Sequence, residues 1–471
     1  MGTDSEINKR KIWFAGIYYV IAVMLYVLNM FFEAVRPGVL ATVFLICVAI
    51  ELFIRKDITF AKFIDKLVAA YIAYNTLSVI WLVKSGMPYT VYIQEFVVSL
   101  LPVIFYYTAH DGTSWEPVGF ETSKKSGRIS SMDTAHDGTS WEPVGFETSE
   151  KSGRSGKFYR NFVYAVLILG VLGILLQIIM PQFYIDYSYR LSFVSKADAA
   201  TCRVRMDSVV GSTVLGFISV AAMLASIPFV MYGAAPVSGT VERDMGDKTG
   251  ASIKDASGIK RIRLFGIVSF LINMTVAFMS NQRSAMVVAI LVILYFNYLI
   301  FFVFRTLDRK YFIVELIIVL AAFAGLCAVR MDAVMKIYYR LVSLPDAIGE
   351  RSEQWIAAVN NMYSTWLGNG LGANGHKALG IEDAHVIADG GLVKLYCEQG
   401  IFGFSMFIYI MILSLRKGLK NLGTSYVELG IVAVALLQSV GSNILAFQLT
   451  TPIFWYAVGS IHHADDRVKN S

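Results

Sequence analysis

The segment AMVVAILVILYFNYLIFFVF, residues 285–304, carries no charged residue. At about 1.5 Å of helical rise per residue it spans about 30 Å, the thickness of a hydrocarbon core, where a backbone must satisfy its own hydrogen bonds. On one side stand the turn Asn281-Gln282-Arg283-Ser284 and an apolar run at 264–280. On the other come Arg305, Arg309 and Lys310, followed by a further run at 311–329. Extended outward, the same reading finds runs of span length, or nearly so, at 12–32, 37–54, 67–83, 91–107, 162–180 and 209–233, and beyond these three at 394–415, 427–446 and a short 450–461. The expected fold is all-α: a polytopic transmembrane bundle of about 12 spans, a single membrane domain over 1–471. Composition agrees. The 471 residues are 56% hydrophobic and 16% charged with a mean hydropathy of +0.57, against about 25% charged in soluble domains.

Basic residues resist translocation, so their loops mark the cytoplasmic side. Lys9, Arg10 and Lys11 precede the first run, and Arg55, Lys56, Lys62 and Lys66 follow the second. Basic clusters recur after the fourth, sixth, eighth, tenth and twelfth, ending with Arg467 and Lys469. Every cluster falls on one face, which predicts cytoplasmic N- and C-termini. The formal net charge of +6 then reflects loop bias and implies no nucleic-acid partner. The first run is too long for the apolar core of a cleavable signal and reads as a retained helix. Cys47, Cys202, Cys327 and Cys397 are scattered without metal-ligand spacing, so neither a zinc site nor a disulfide framework is expected.

This topology makes 108–160 a cytoplasmic loop and leaves 181–208 and 330–391 as extracytoplasmic loops, the second of them large and expected to be helical. Within the cytoplasmic loop, Thr108–Arg128 recurs as Thr134–Arg154, differing only at Lys124 against Glu150. Two polar copies with Gly and Pro make a tandem duplication in a tolerant loop, not a stacked solenoid.

The outer segments hold the residues with chemistry. Arg203 and Arg205 stand at the end of the first loop, at the mouth of the next run, Arg283 sits in a tight outer turn, and Arg340 and Arg351 lie in the large loop. Arginine near a bilayer snorkels, pairs or faces an aqueous cavity, and its planar fork fits phosphate oxygens. One arginine is as well explained by interfacial anchoring. Three arginine-bearing elements suit a diphosphate-binding pocket. Trp355 follows Arg351 by four residues and can share its helical face, as a stacked pair or as an interfacial anchor. His385 and Asp389 are also four apart; on a helical turn they would share a face, and either could accept a hydroxyl proton. His376 and Glu398 are secondary candidates. Glu398 is also explained by a favourable position near the start of a helix. Gly368, Gly370, Gly372 and Gly375 lack the strand and lysine of a phosphate loop and read as permitting tight turns or close backbone approach to a ligand.

Several short motifs, in order, give the chain a family likeness. Arg203 and Arg205 lead into Gly211-Ser212-Thr213 and Gly216. Asn281-Gln282-Arg283-Ser284-Ala285 forms a turn, Trp366-Leu367-Gly368-Asn369-Gly370-Leu371-Gly372 a glycine stretch, and Ala388-Asp389-Gly390-Gly391 runs through Glu398 to Gly400-Ile401-Phe402-Gly403. Over about residues 200–405 the chain resembles the O-antigen polymerase and ligase group of bacterial inner-membrane glycosyltransferases. In the ligase branch a histidine stands nine residues before the glutamate; here that position is Asp389, which favours the repeat-unit polymerase branch. The resemblance implies a GT-C-like bundle in the bacterial inner membrane and an undecaprenyl-diphosphate-linked glycan as donor, held by the arginines without cofactor or metal. A chain-length regulator and a flippase are the candidate protein partners. The alternatives are a ligase transferring glycan to lipid A-core and a polysaccharide or lipid transporter, which would place its substrate on broken helices near the bilayer midplane.

Overall fold

The computed structural model describes residues 13–32, 35–55, 60–109, 154–192, 206–231, 251–304 and 344–470, with a few single positions between them. Fifteen α-helices and no strand occur among the described residues. In chain order they are α1 (Phe14–Phe31), α2 (Pro37–Arg55), α3 (Phe63–Leu77), α4 (Val79–Lys84), α5 (Tyr89–Glu95), α6 (Phe105–Thr108), α7 (Arg154–Ile179) and α8 (Pro181–Ser192). There follow α9 (Ser212–Met231), α10 (Ala251–Met279), α11 (Arg283–Tyr298), α12 (Leu344–Asn360), α13 (Gly391–Lys420), α14 (Leu422–Gly441) and α15 (Thr451–Asn470).

Ten segments among the described residues are long and apolar enough to cross a membrane, and the protein is a multi-pass membrane protein. The expected run at 311–329 lies outside the described residues. The run at 450–461 is a helix, α15, but it is not among those ten segments. Thr451, Ser460, His462 and His463 are buried there with Trp455 and Tyr456, so protein rather than lipid covers this helix.

The hub of the bundle is α9, whose span is 89% buried against neighbours, whereas most other spans leave a broad apolar face outward. It packs on α10, α7, α11 and α14. Small residues permit this, as expected where helices associate by close backbone approach. At Gly216, a methyl group would lie 2.8 Å from the Ala285 Cβ of α11.

Two of the irregular spans lie in the first half of the chain. The run at 67–83 divides into α3 and α4 at Ser78, whose hydroxyl bonds back to the Asn75 carbonyl. The run at 91–107 passes from α5 into a π-helical turn, Phe96–Leu100, and a 3₁₀ turn, Leu101–Ile104, that contains Pro102. Proline cannot donate the helical bond at its own position, and π-turns tend to occur where a side chain must be re-aimed. Glu95 ends α5 immediately before that π-turn.

Candidate functional site

Helix α12 carries Arg351 and Trp355 one turn apart, and both side chains meet at Asp389. The Arg351 Nη2 lies 2.7 Å from the Asp389 carboxylate, and the Trp355 indole N–H donates to the Asp389 main-chain oxygen at 2.7 Å. The second guanidinium nitrogen, Nη1, donates to the Gly441 carbonyl at 3.3 Å. The Arg351 and Asp389 side chains remain 28% and 34% exposed, so a soluble or lipid-borne anion can reach the pair.

The turn bearing Arg283 arrives at the same place. Gln282 Nε2 donates to the Ser442 hydroxyl at 2.9 Å, and the Ser284 hydroxyl lies 3.4 Å from it. Next in sequence, the Asn443 side-chain amide donates to the carbonyls of Ile387 and Ala388 at 2.7 and 3.1 Å. Residues 441–443, at the end of α14, thus gather three elements: Arg351 of α12, the residues flanking Arg283, and the non-helical segment before Asp389. Arg203, Arg205 and Arg340 lie outside the described residues.

The glycine stretch docks against a break in α13. Gly400 has φ 61° and ψ −170°, which interrupts the helix and frees backbone groups on both sides. Residues 365–370 satisfy them reciprocally: Asn369 N–H and Gly370 N–H donate to the Cys397 and Glu398 carbonyls, while Ile401 N–H and Phe402 N–H donate to those of Thr365 and Trp366. Gly368, at φ 78°, approaches so closely that a Cβ would sit 2.4 Å from the Glu398 oxygen. The close backbone approach is made to the chain itself, where the sequence leads us to expect a ligand. Tyr74 of α3 seals the junction, its hydroxyl donating to the Gln399 carbonyl at 2.7 Å.

Beneath this junction lies a buried ionic cluster absent from the sequence-derived site. Lys394 Nζ lies 2.5 Å from Glu95 Oε1 and 3.6 Å from Glu398 Oε1, with all three side chains at most 5% exposed. The Ser99 hydroxyl donates to Glu95, and Asn374 N–H donates to Glu398 at 3.3 Å. Lone charges within membrane-length runs were the available signal, since such residues are costly unless paired. The reading of Glu398 as a carboxylate stabilised at a helix start is corrected. It lies two turns into α13, just before the break, where a half-helix ends and its dipole disfavours an anion.

A second correction concerns His385 and Asp389. Residues 384–387 form no helix, and Val386 N–H bonds back to the Ala384 carbonyl, so the two side chains share no helical face. The Asp389 carboxylate is taken by Arg351, and the His385 main chain is held by the Asn374 side-chain amide at 2.8 Å. The His385 imidazole lines an open groove of about 350 Å³ against Gln354 and Ala357 of α12. His376 heads a 3₁₀ turn beyond Gly375 and keeps an exposed edge. Crowding by protein, and then the nearby Lys394 ammonium, hold its pKa below the ordinary histidine value, which favours a neutral imidazole able to accept a proton.

No family model matches this chain, and no curated protein matches it.

Proposed function

We propose that this chain is a membrane glycosyltransferase that polymerises undecaprenyl-diphosphate-linked repeat units at the outer face of a bacterial inner membrane, with both termini in the cytoplasm. The observation that carries the reading is the meeting of Arg351, the Arg283 turn and the Asp389 segment at residues 441–443. A guanidinium and an arginine-bearing turn brought by separate elements to one partly exposed spot suit an anionic head group between helices. Asp389 then acts as the resident anion that holds the Arg351 guanidinium in position, and the donor's diphosphate competes for its remaining N–H groups.

In this reaction an acceptor sugar hydroxyl attacks the donor's anomeric carbon. The new C–O bond forms as the bond to the diphosphate oxygen breaks, undecaprenyl diphosphate departs, and the hydroxyl proton passes to a base. Guanidinium groups around the departing diphosphate stabilise the charge that grows there. With the Asp389 carboxylate engaged by Arg351, the imidazoles of His385 and His376 are the stronger candidates for the base.

One observation favours the transporter reading as its competitor: α13 is broken at Gly400 beside charges buried within the spans, a feature of carriers. Consumption of lipid-linked donor by the purified protein without an ion gradient separates the two, and variants test the site. Arg283→Ala and Arg351→Ala are expected to abolish long polysaccharide chains on a gel at unchanged protein levels. Normal ladders from both variants would defeat the proposal.

A further inference from the structure

The ionic cluster opens onto a small cavity of about 30 Å³, enclosed by α3, α13, the π-turn after Glu95 and the turn at 443–446. That is room for one or two water molecules or a single ion. Four side chains that line it carry an oxygen with no hydrogen-bond partner: Asn75 Oδ1, Glu398 Oε2, Gln399 Oε1 and Asn443 Oδ1. All four residues are at most 2% exposed. The two asparagines are oriented by amide nitrogens that donate to main-chain carbonyls, Asn75 to Tyr71 and Asn443 to Ile387, and Gln399 Nε2 donates to the Tyr71 hydroxyl. What is left without a partner on the residues lining the cavity is a set of acceptors.

Formal charge points the same way. Lys394 balances one carboxylate and sits closest to Glu95, whose same oxygen also takes the Ser99 hydroxyl. Glu398 keeps the longer Lys394 contact and the Asn374 N–H on its Oε1, and its Oε2 has no hydrogen-bond partner. One uncompensated negative charge inside membrane spans, ringed by unpaired oxygens, calls for one positive charge of small radius. We propose that this cavity binds a single sodium ion, held by Glu398 Oε2 and the amide oxygens of Asn75, Gln399 and Asn443. The ion locks the first half of α13 to α3 and to the 443–446 turn, and so steadies the segment 387–389 that Asn443 also holds. The inference does not depend on the proposed polymerase activity.

The test is thermal unfolding of the purified, detergent-solubilised protein at fixed ionic strength and pH, with sodium, potassium or choline as the chloride salt. Fluorescence of Trp455, which also lines the cavity, follows a parallel titration at constant temperature. A saturable rise of the midpoint with sodium, well above that with potassium and absent with choline, is expected, since a ligand that binds the folded state raises its stability by mass action. Glu398→Gln should remove the sodium response, while Glu353→Gln on exposed α12 should keep it. If the Glu398 variant fails to fold, the wild-type selectivity series still decides the matter. Equal midpoints in all three salts, or a midpoint that follows pH alone, as a proton on Glu398 would produce, overturns the proposal.

Discussion

Arg351 has two main-chain or side-chain anchors and donors to spare, and that combination is the residue-scale core of the account. Lysine keeps the charge but not the planar fork, so it cannot span Asp389 and Gly441 together. Arg351→Lys is therefore expected to cut long-chain product by about tenfold, equivalent to about 1.4 kcal/mol of lost binding, with the protein still folded. Quantified ladders at matched protein levels check this. His376 provides a pH test. Its folded pKa is depressed, so the folded chain prefers the neutral ring; the stability this gives is present above the ordinary value and is lost as pH falls through the lowered one. If His376 is the base, the acidic limb of the activity profile should lie below the ordinary histidine range and disappear in His376→Gln, whereas a profile unaltered in that variant assigns the proton to His385. The four-residue spacing of Arg351 and Trp355 was legible as one helical face. Their shared target was not, because Asp389 arrives from an irregular segment that carries no periodic signal.

At the scale of elements, the account turns on the break in α13. Gly400 combines a left-handed φ with a Trp366 oxygen 2.4 Å from any added Cβ. Gly400→Ala should cost about 3 kcal/mol or more, seen as a lowered unfolding midpoint, because strain and a backbone clash add. Gly349→Ala, in helical α12 with nothing within 4 Å of the added methyl, should stabilise by about 0.5–1 kcal/mol instead. A variant at Gly400 as stable as the wild type would mean that α13 runs continuously. The spans themselves were legible from runs without charge, and the glycine stretch was legible as a close approach. The break was not, since Gln399-Gly400-Ile401 sits in a run whose hydropathy reads straight through it. Nor was the Lys394–Glu95–Glu398 cluster, whose members are 299 residues apart across the Lys394–Glu95 pair and reveal their pairing only once α5 and α13 are side by side.

The whole molecule is a bundle around α9, with its candidate chemistry gathered where α11, α12, α13 and α14 begin or end. Such sites come from helix termini and the loops joining them, which the bundle's rigidity holds in register. α15 shows the limit of hydropathy at this scale: Thr451, Ser460, His462 and His463 are buried in the bundle, so burial and apolarity part company. The proposal that this assembly extends a glycan on a lipid diphosphate makes one requirement of the isolated protein. Purified and incubated with a synthetic undecaprenyl-type diphosphate oligosaccharide, in detergent and without any ion gradient, it should yield a ladder of products longer by whole repeat units and release lipid diphosphate. Donor that stays unconsumed under those conditions, by a protein shown to be folded, would contradict the account.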